Sequence, residues 1–273
     1  MRAPLDAAAL GAIVAAMDRC AVGIFRNATP LTDAEHVAFS HRLGPVERMK
    51  VRGALRVPFP EIIDQSNLDE NGAIFPDDDK RLLYKRANRL WHTDMSFHPV
   101  RATYSLLSAH VIPPAGVAPS TEFADMRAAY DALPESTKAR LESLTAEHDY
   151  YYSRVLGGGP EPTALERAER PPARHALVHV HPGSQRKVLY LASHISGIAG
   201  WSKTESRALI DELMAFATQR RFVYAHEWRV GDVVIWDNLA TMHRAMPFDD
   251  RTYRRDVRRT TVREGNVELE ALF

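Results

Sequence analysis

Trp228-Arg229-Val230-Gly231-Asp232-Val233-Val234-Ile235-Trp236-Asp237-Asn238-Leu239-Ala240-Thr241-Met242-His243-Arg244-Ala245 joins a β-branched and aromatic run to a histidine seven residues beyond it. Residues 233–236 read as a strand, because β-branched and aromatic side chains suit a pleated, half-buried surface. Comparable runs lie at 21–25, 178–180, 188–191 and 222–224. Helical spacing appears instead in 33–43, with Thr32 as N-cap, and in 127–133, 136–144 and 203–218. Pro134 ends one of these helices and lets the next begin. The pattern predicts a barrel or sandwich of strands with helices packed outside.

Upstream, Trp91-His92-Thr93-Asp94-Met95-Ser96-Phe97 places a histidine and an aspartate two apart. On a strand, side chains at i and i+2 project from one face, so His92 and Asp94 can converge on a single ion. An isolated pair of this kind arises easily by chance, and a third donor must come from elsewhere in the chain. His243 is the best candidate among the twelve histidines. Two histidines and one carboxylate form the facial triad of non-haem Fe(II) sites, which leaves positions open for other ligands. A catalytic zinc site could use the same donors.

Beyond His243, Tyr253-Arg254-Arg255-Asp256-Val257-Arg258-Arg259-Thr260-Thr261-Val262 also reads as a strand. Alternation puts Arg255, Val257 and Arg259 on one face and Arg254, Asp256 and Arg258 on the other. Guanidinium forks bind carboxylates bidentately and keep their charge when buried, so either arginine pair could hold organic anions. A solvated basic edge strand is the plainer explanation.

Lys+Arg and Asp+Glu are equal at 35 each, so no global field favours nucleic acid, a membrane surface or a polyanion. One cysteine, Cys20, excludes an intramolecular disulfide and fits a cytoplasmic setting. The apolar N-terminal stretch is interrupted by Asp6 and Asp18 and is too short to span a bilayer. Leu10, Ile13, Val14 and Met17 instead follow an amphipathic helix. Without a repeat or linker, residues 1–273 are expected to form a single domain. Residues 58–80 and 150–174 read as long loops, the second with enough tyrosine to suit a lid.

Four ordered segments together resemble the taurine dioxygenase and 2,4-dichlorophenoxyacetate dioxygenase family of 2-oxoglutarate-dependent oxygenases. They are Val22-Gly23-Ile24-Phe25-Arg26 with Phe39-Ser40-His41-Arg42-Leu43-Gly44-Pro45-Val46-Glu47, the His92 segment, Thr121-Glu122-Phe123-Ala124-Asp125-Met126, and the His243 segment with its arginine strand. The resemblance covers almost the whole chain. It implies a mainly β fold with flanking helices around a double-stranded β-helix, or jelly roll, core. It also implies a single 2-oxoglutarate/Fe(II) dioxygenase domain and a homo-oligomer.

Carried over by position, the resemblance makes His92, Asp94 and His243 the metal ligands and catalytic centre. Thr121 and Arg255 would hold 2-oxoglutarate, and Arg259 the substrate's acid group. Arg254 and Arg258 remain the alternative register. Asn88, His181 and His194 are candidate substrate contacts, although each of the histidines could equally be structural. Fe(II), 2-oxoglutarate and O2 are the implied cofactors, with ascorbate as reductant in vitro. The expected partner is a small organic anion. Within the family the likeness runs towards enzymes that cleave aryloxyalkanoates, with sulfonate oxygenation as the alternative.

Overall fold

The computed structural model describes residues 5–49, 55–76 and 79–265. Its central antiparallel sheet has five strands, in the order Val22–Arg26, Asp232–Asp237, Ala102–Val111, Asp256–Arg263 and Ile63–Asp64. Every residue of Asp232–Asp237 is buried, because both faces of this strand are covered. Ile235 packs outward with Tyr104, Leu106 and Val262 against Met17 and Phe39. Val234 and Trp236 point inward with Leu107, Ala109, Phe123, Trp228 and Val257.

The helices supplying the outer cover are set by their caps. Asp6 accepts from Ala9 N–H at the start of Ala7–Cys20, and Thr32 and Glu35 form a reciprocal capping box on Asp33–His41. Ser202 and Glu205 do the same for Lys203–Ala217, whose Leu209, Ile210 and Leu213 enter another core. Pro134 separates Met126–Asp131 from Glu135–Leu141, as expected.

A second sheet, ordered Val223–Glu227, Ser120–Asp125 and Thr241–Ala245, faces the first through Phe123, whose ring centroid lies 5.6 Å from that of Trp236. Two smaller elements complete the strands: the sheet of Ala173–Ala176, Thr145–His148 and Ile195–Ile198, and the hairpin of Val178–Val180 with Lys187–Leu189. Antiparallel sheets therefore occupy the centre, with helices around them.

Several expectations need correction. His92 and Asp94 do not share a regular strand: His92 forms an isolated bridge with His243, and Asp94 enters a turn followed by Met95 at φ 55°. Residues 150–174 are not continuous loop but contain helices Tyr150–Leu156 and Ala164–Glu169. Asp149 caps the first, and a Thr163/Glu166 box caps the second. Within 58–80, Ile63–Asp64 pairs with Arg258 and Arg259, while Asp77 and Asp78 lie outside the described residues. No described helix is long and apolar enough to cross a membrane.

Candidate active site

Strand alternation aims the inner face of the central sheet at one place. Ser105, Leu107 and Ala109 lie opposite Thr261, Arg259 and Val257. From the facing sheet come Thr121, opposite Ala245, and His243, opposite Phe123. His92 joins them through reciprocal backbone bonds with His243, N–H to O at 3.0 and 2.8 Å. The three elements thus bring His92, Asp94 and His243 together, all buried.

Asp94 Oδ1 lies 3.9 Å from His92 Nε2, and its Oδ2 lies 3.8 Å from His243 Nε2. Both gaps are too long for hydrogen bonds but shorter than twice a metal–ligand bond of about 2.1 Å. The Nδ1 of His92 donates to Leu90 O at 2.8 Å, because a carbonyl can only accept, and this leaves its Nε2 lone pair facing the carboxylate. Burial pushes both imidazoles below their usual range, opposed in each case by the Asp94 charge. They are therefore neutral donors. Burial also pushes the Asp94 carboxyl up, but the Arg259 charge and the Ser105 hydroxyl that donates to it outweigh this and hold it ionised. An N,N,O set of this kind fits a divalent iron with open positions.

Several residues that sequence inspection did not single out fix the carboxylate. Ser105 Oγ donates to Asp94 Oδ2 at 2.7 Å and accepts from Asn238 Nδ2 at 3.0 Å. Asn238 Oδ1 accepts from Trp236 Nε1 at 3.0 Å and from Asp94 N–H at 3.2 Å. Asn238 belongs to the same motif as His243, but Ser105 carries no local signal. Arg259 Nη1 closes the shell by donating to Asp94 Oδ1.

His92 and His243 open onto a cavity of about 330 Å³. Arg255, Arg259, Thr121 and Asn88 line it, with Leu107, Trp236, Met246 and Phe248 as apolar wall. Arg254 and Arg258 do not. Arg258 turns outward to Asp33, at 2.7 and 2.8 Å, and to Asp256. Arg255 is held where the strand begins by Asn67, whose Oδ1 accepts its N–H at 2.8 Å. Its guanidinium is buried without a carboxylate at salt-bridge distance among the described residues, and burial lowers its pKa to about 10. Asn88 Nδ2 donates to Gln65 Oε1 at 3.1 Å.

The structure does not bring the remaining two candidates to the cavity lining. His181 is tied to Asp237, Nε2 to Oδ2 at 2.8 Å, while its Nδ1 accepts from Ser184 N–H at 2.9 Å. Both ring nitrogens are thus occupied within the fold. His194 stands behind His92, with ring centroids 6.1 Å apart, and packs edge-on to Phe97. Tyr150, at the start of the helix Tyr150–Leu156, packs edge-on to Phe97 in turn, with ring centroids 4.9 Å apart.

Residues 2–261 match the family described as Taurine catabolism dioxygenase TauD, TfdA family. The chain is 42% identical over 254 residues to the alpha-ketoglutarate-dependent 2,4-dichlorophenoxyacetate dioxygenase of Cupriavidus pinatubonensis, covering 92% of this chain and 87% of that one. It is 36% identical over 227 residues to the (S)-phenoxypropionate/alpha-ketoglutarate-dioxygenase of Sphingobium herbicidovorans, covering 80% and 74% respectively. Among solved structures, AAD-2 in complex with Mn(II) and N-oxalylglycine superposes with a TM-score of 0.88 at 41% identity, across 98% of this chain and 93% of AAD-2. With a buried two-histidine, one-carboxylate centre at the end of an arginine-lined cavity, the chain belongs to the TauD/TfdA family and is a 2-oxoglutarate-dependent non-haem iron dioxygenase.

Proposed function

We propose that this enzyme oxidises the ether-bearing carbon of a small aryloxyalkanoate, releasing a phenol and an oxo acid. The observation that carries the reading is the pairing, in one cavity, of two inward guanidiniums with an apolar wall large enough for an aryl ring. The names of relatives at 42% and 36% identity point the same way. A jelly-roll core and a homo-oligomeric state belong to the same proposal and rest on the family resemblance, a single domain over 1–273 rests also on the absence of repeats and linkers, and a cytoplasmic location on the single cysteine.

In this reading His92, Asp94 and His243 hold Fe(II), which with O2 and 2-oxoglutarate supplies the oxidising power, giving succinate and CO2. Arg255 and Thr121 bind the distal carboxylate of 2-oxoglutarate. Arg259 meets the substrate's carboxylate, and Asn88 lies within the same cavity to contact its body. Leu107, Trp236, Met246 and Phe248 exclude water from the reacting carbon. Hydroxylation there produces a hemiacetal or hemiketal, whose collapse cleaves the ether. The protein's contribution is position and a dry pocket.

A guanidinium fork accepts a sulfonate as readily as a carboxylate, so a taurine-type substrate is the alternative. Fe(II)-loaded protein supplied with O2, 2-oxoglutarate and ascorbate separates the two. Succinate formation stimulated by phenoxyacetate or one phenoxypropionate enantiomer supports the proposal. Stimulation by taurine with sulfite release, and none by aryloxy acids, contradicts it.

A further inference from the structure

We propose that Trp228 is a positioning residue that orients the Thr121 hydroxyl to donate to the distal carboxylate of the 2-oxo acid. The inference rests on the reading that Thr121 and Arg255 bind that carboxylate. Trp228 Nε1 donates to Thr121 Oγ1 at 2.9 Å, and both residues are buried. An indole nitrogen can only donate, so one lone pair of the hydroxyl is taken and its single proton must point elsewhere. Among the described residues the hydroxyl makes no other hydrogen bond. Thr121 and Arg255 line the same cavity, and among the described residues the Arg255 guanidinium has no carboxylate at salt-bridge distance and its Nε no hydrogen-bond partner. Two donors without acceptors therefore line one cavity, which is the complement of a carboxylate.

A free threonine hydroxyl rotates among several orientations, only some of which aim its proton into the cavity. The indole narrows that choice before the anion arrives, and such preorganisation favours binding by lowering the ordering cost. Trp228 is itself held firmly. Its ring meets His226 edge-on, with centroids 4.6 Å apart at 87°, and packs with Leu107, Phe123 and Val257. His226 Nε2 pairs with Asp232 Oδ2 at 3.1 Å, and the same oxygen accepts from Arg229 N–H at 3.0 Å. Gly231 completes the turn at φ +88°, where a Cβ would stand 2.2 Å from Asn27 O. The stretch from Trp228 to Asp232 thus forms a rigid bracket that presents one N–H to Thr121.

A core tryptophan would be conserved in shape for packing alone, so the test must separate the N–H from the ring. Binding of 2-oxoglutarate and of 2-oxovalerate, which lacks the distal carboxylate, is titrated anaerobically on the Fe(II)-loaded enzyme. The proteins compared are wild type, Trp228→Phe, Thr121→Val and the double variant. A fifth carries 3-benzothienylalanine at position 228, which replaces N–H by sulfur at nearly constant shape. The expected result is about tenfold weaker 2-oxoglutarate binding in each single variant, unchanged 2-oxovalerate binding, and no further loss in the double variant. Unchanged 2-oxoglutarate affinity in the benzothienylalanine protein, equal losses for both acids, or additive losses in the double variant would overturn the role of Trp228. A wild type that does not prefer 2-oxoglutarate to 2-oxovalerate would instead overturn the carboxylate reading on which the inference stands.

Discussion

His92 and His243 exchange both of their backbone hydrogen bonds, at 3.0 and 2.8 Å, in an isolated antiparallel bridge. Their imidazoles, with centroids 4.2 Å apart, are therefore aligned by main chain. Asp94 needs side-chain support instead, because it sits in a turn. This division of labour determines which substitutions weaken the metal centre.

Ser105→Ala removes the 2.7 Å donor to Asp94 Oδ2 and leaves Asn238 Nδ2 without its acceptor. Outer-shell partners of metal ligands are typically worth about 10- to 100-fold in affinity or activity. Fe(II) titration of Ser105→Ala should show weakening in that range with the fold retained. Wild-type affinity would mean that Arg259 and the backbone suffice to orient the carboxylate.

Arg259 contacts Asp94 and also lines the cavity, so its two interactions can be separated by substitution. Arg259→Ala is expected to raise KM for an aryloxy acid by roughly 10- to 100-fold, the worth of a lost charge-assisted pair. Fe(II) affinity should fall as well, since the variant removes a donor to Asp94 Oδ1, so it is titrated separately from KM. Unchanged KM would place the substrate's anchor elsewhere on the cavity wall.

Lys85 lines the same cavity, and its ammonium lies 4.7 Å from the centre of the Phe75 ring. Burial lowers its pKa to about 8, with Arg81, Arg255 and Arg56 adding to the effect and Asp64 opposing it. Below pH 8 the lysine is charged and favours an anion, and above it that attraction is lost. KM for the anionic substrate should therefore rise between pH 7 and pH 9. In Lys85→Met this rise should disappear; parallel profiles for the two proteins would show that Lys85 does not sense the substrate.

Gly231→Ala combines a left-handed backbone with a Cβ position 2.2 Å from Asn27 O. Strain of this kind costs on the order of 1–3 kcal/mol, and the clash adds to it. Thermal unfolding should shift down by several degrees for a chain of this size. A melting temperature within one degree of wild type would show that the turn relaxes freely.

Much of this architecture was legible because local chemistry agreed with the fold. Thr32 and Pro134 marked real helix boundaries, and the run before Asp237 became the fully buried strand. The alternation that pairs Arg255 with Arg259 matches the residues on the cavity wall. Ala102–Val111 was harder to see, because Ser105 and Ser108 interrupt its apolar pattern although both are buried. The helix Ala164–Glu169 had a readable sign in Thr163 and Glu166, obscured by the neighbouring glycines and prolines. His181 could not be placed from sequence, since Asp237 reaches it only through tertiary packing. The Trp228–Thr121 contact is equally non-local, linking partners 107 residues apart.

The most direct test quantifies succinate and phenol in one reaction, using Fe(II)-loaded wild type and metal-titrated His243→Ala with an aryloxyalkanoate, 2-oxoglutarate, O2 and ascorbate. Wild type should give equal amounts of the two products, and the variant neither product above background, with Fe(II) bound at least 100-fold more weakly, roughly the upper end for outer-shell partners. Phenol formed without succinate, or undiminished turnover in His243→Ala, would contradict this reading.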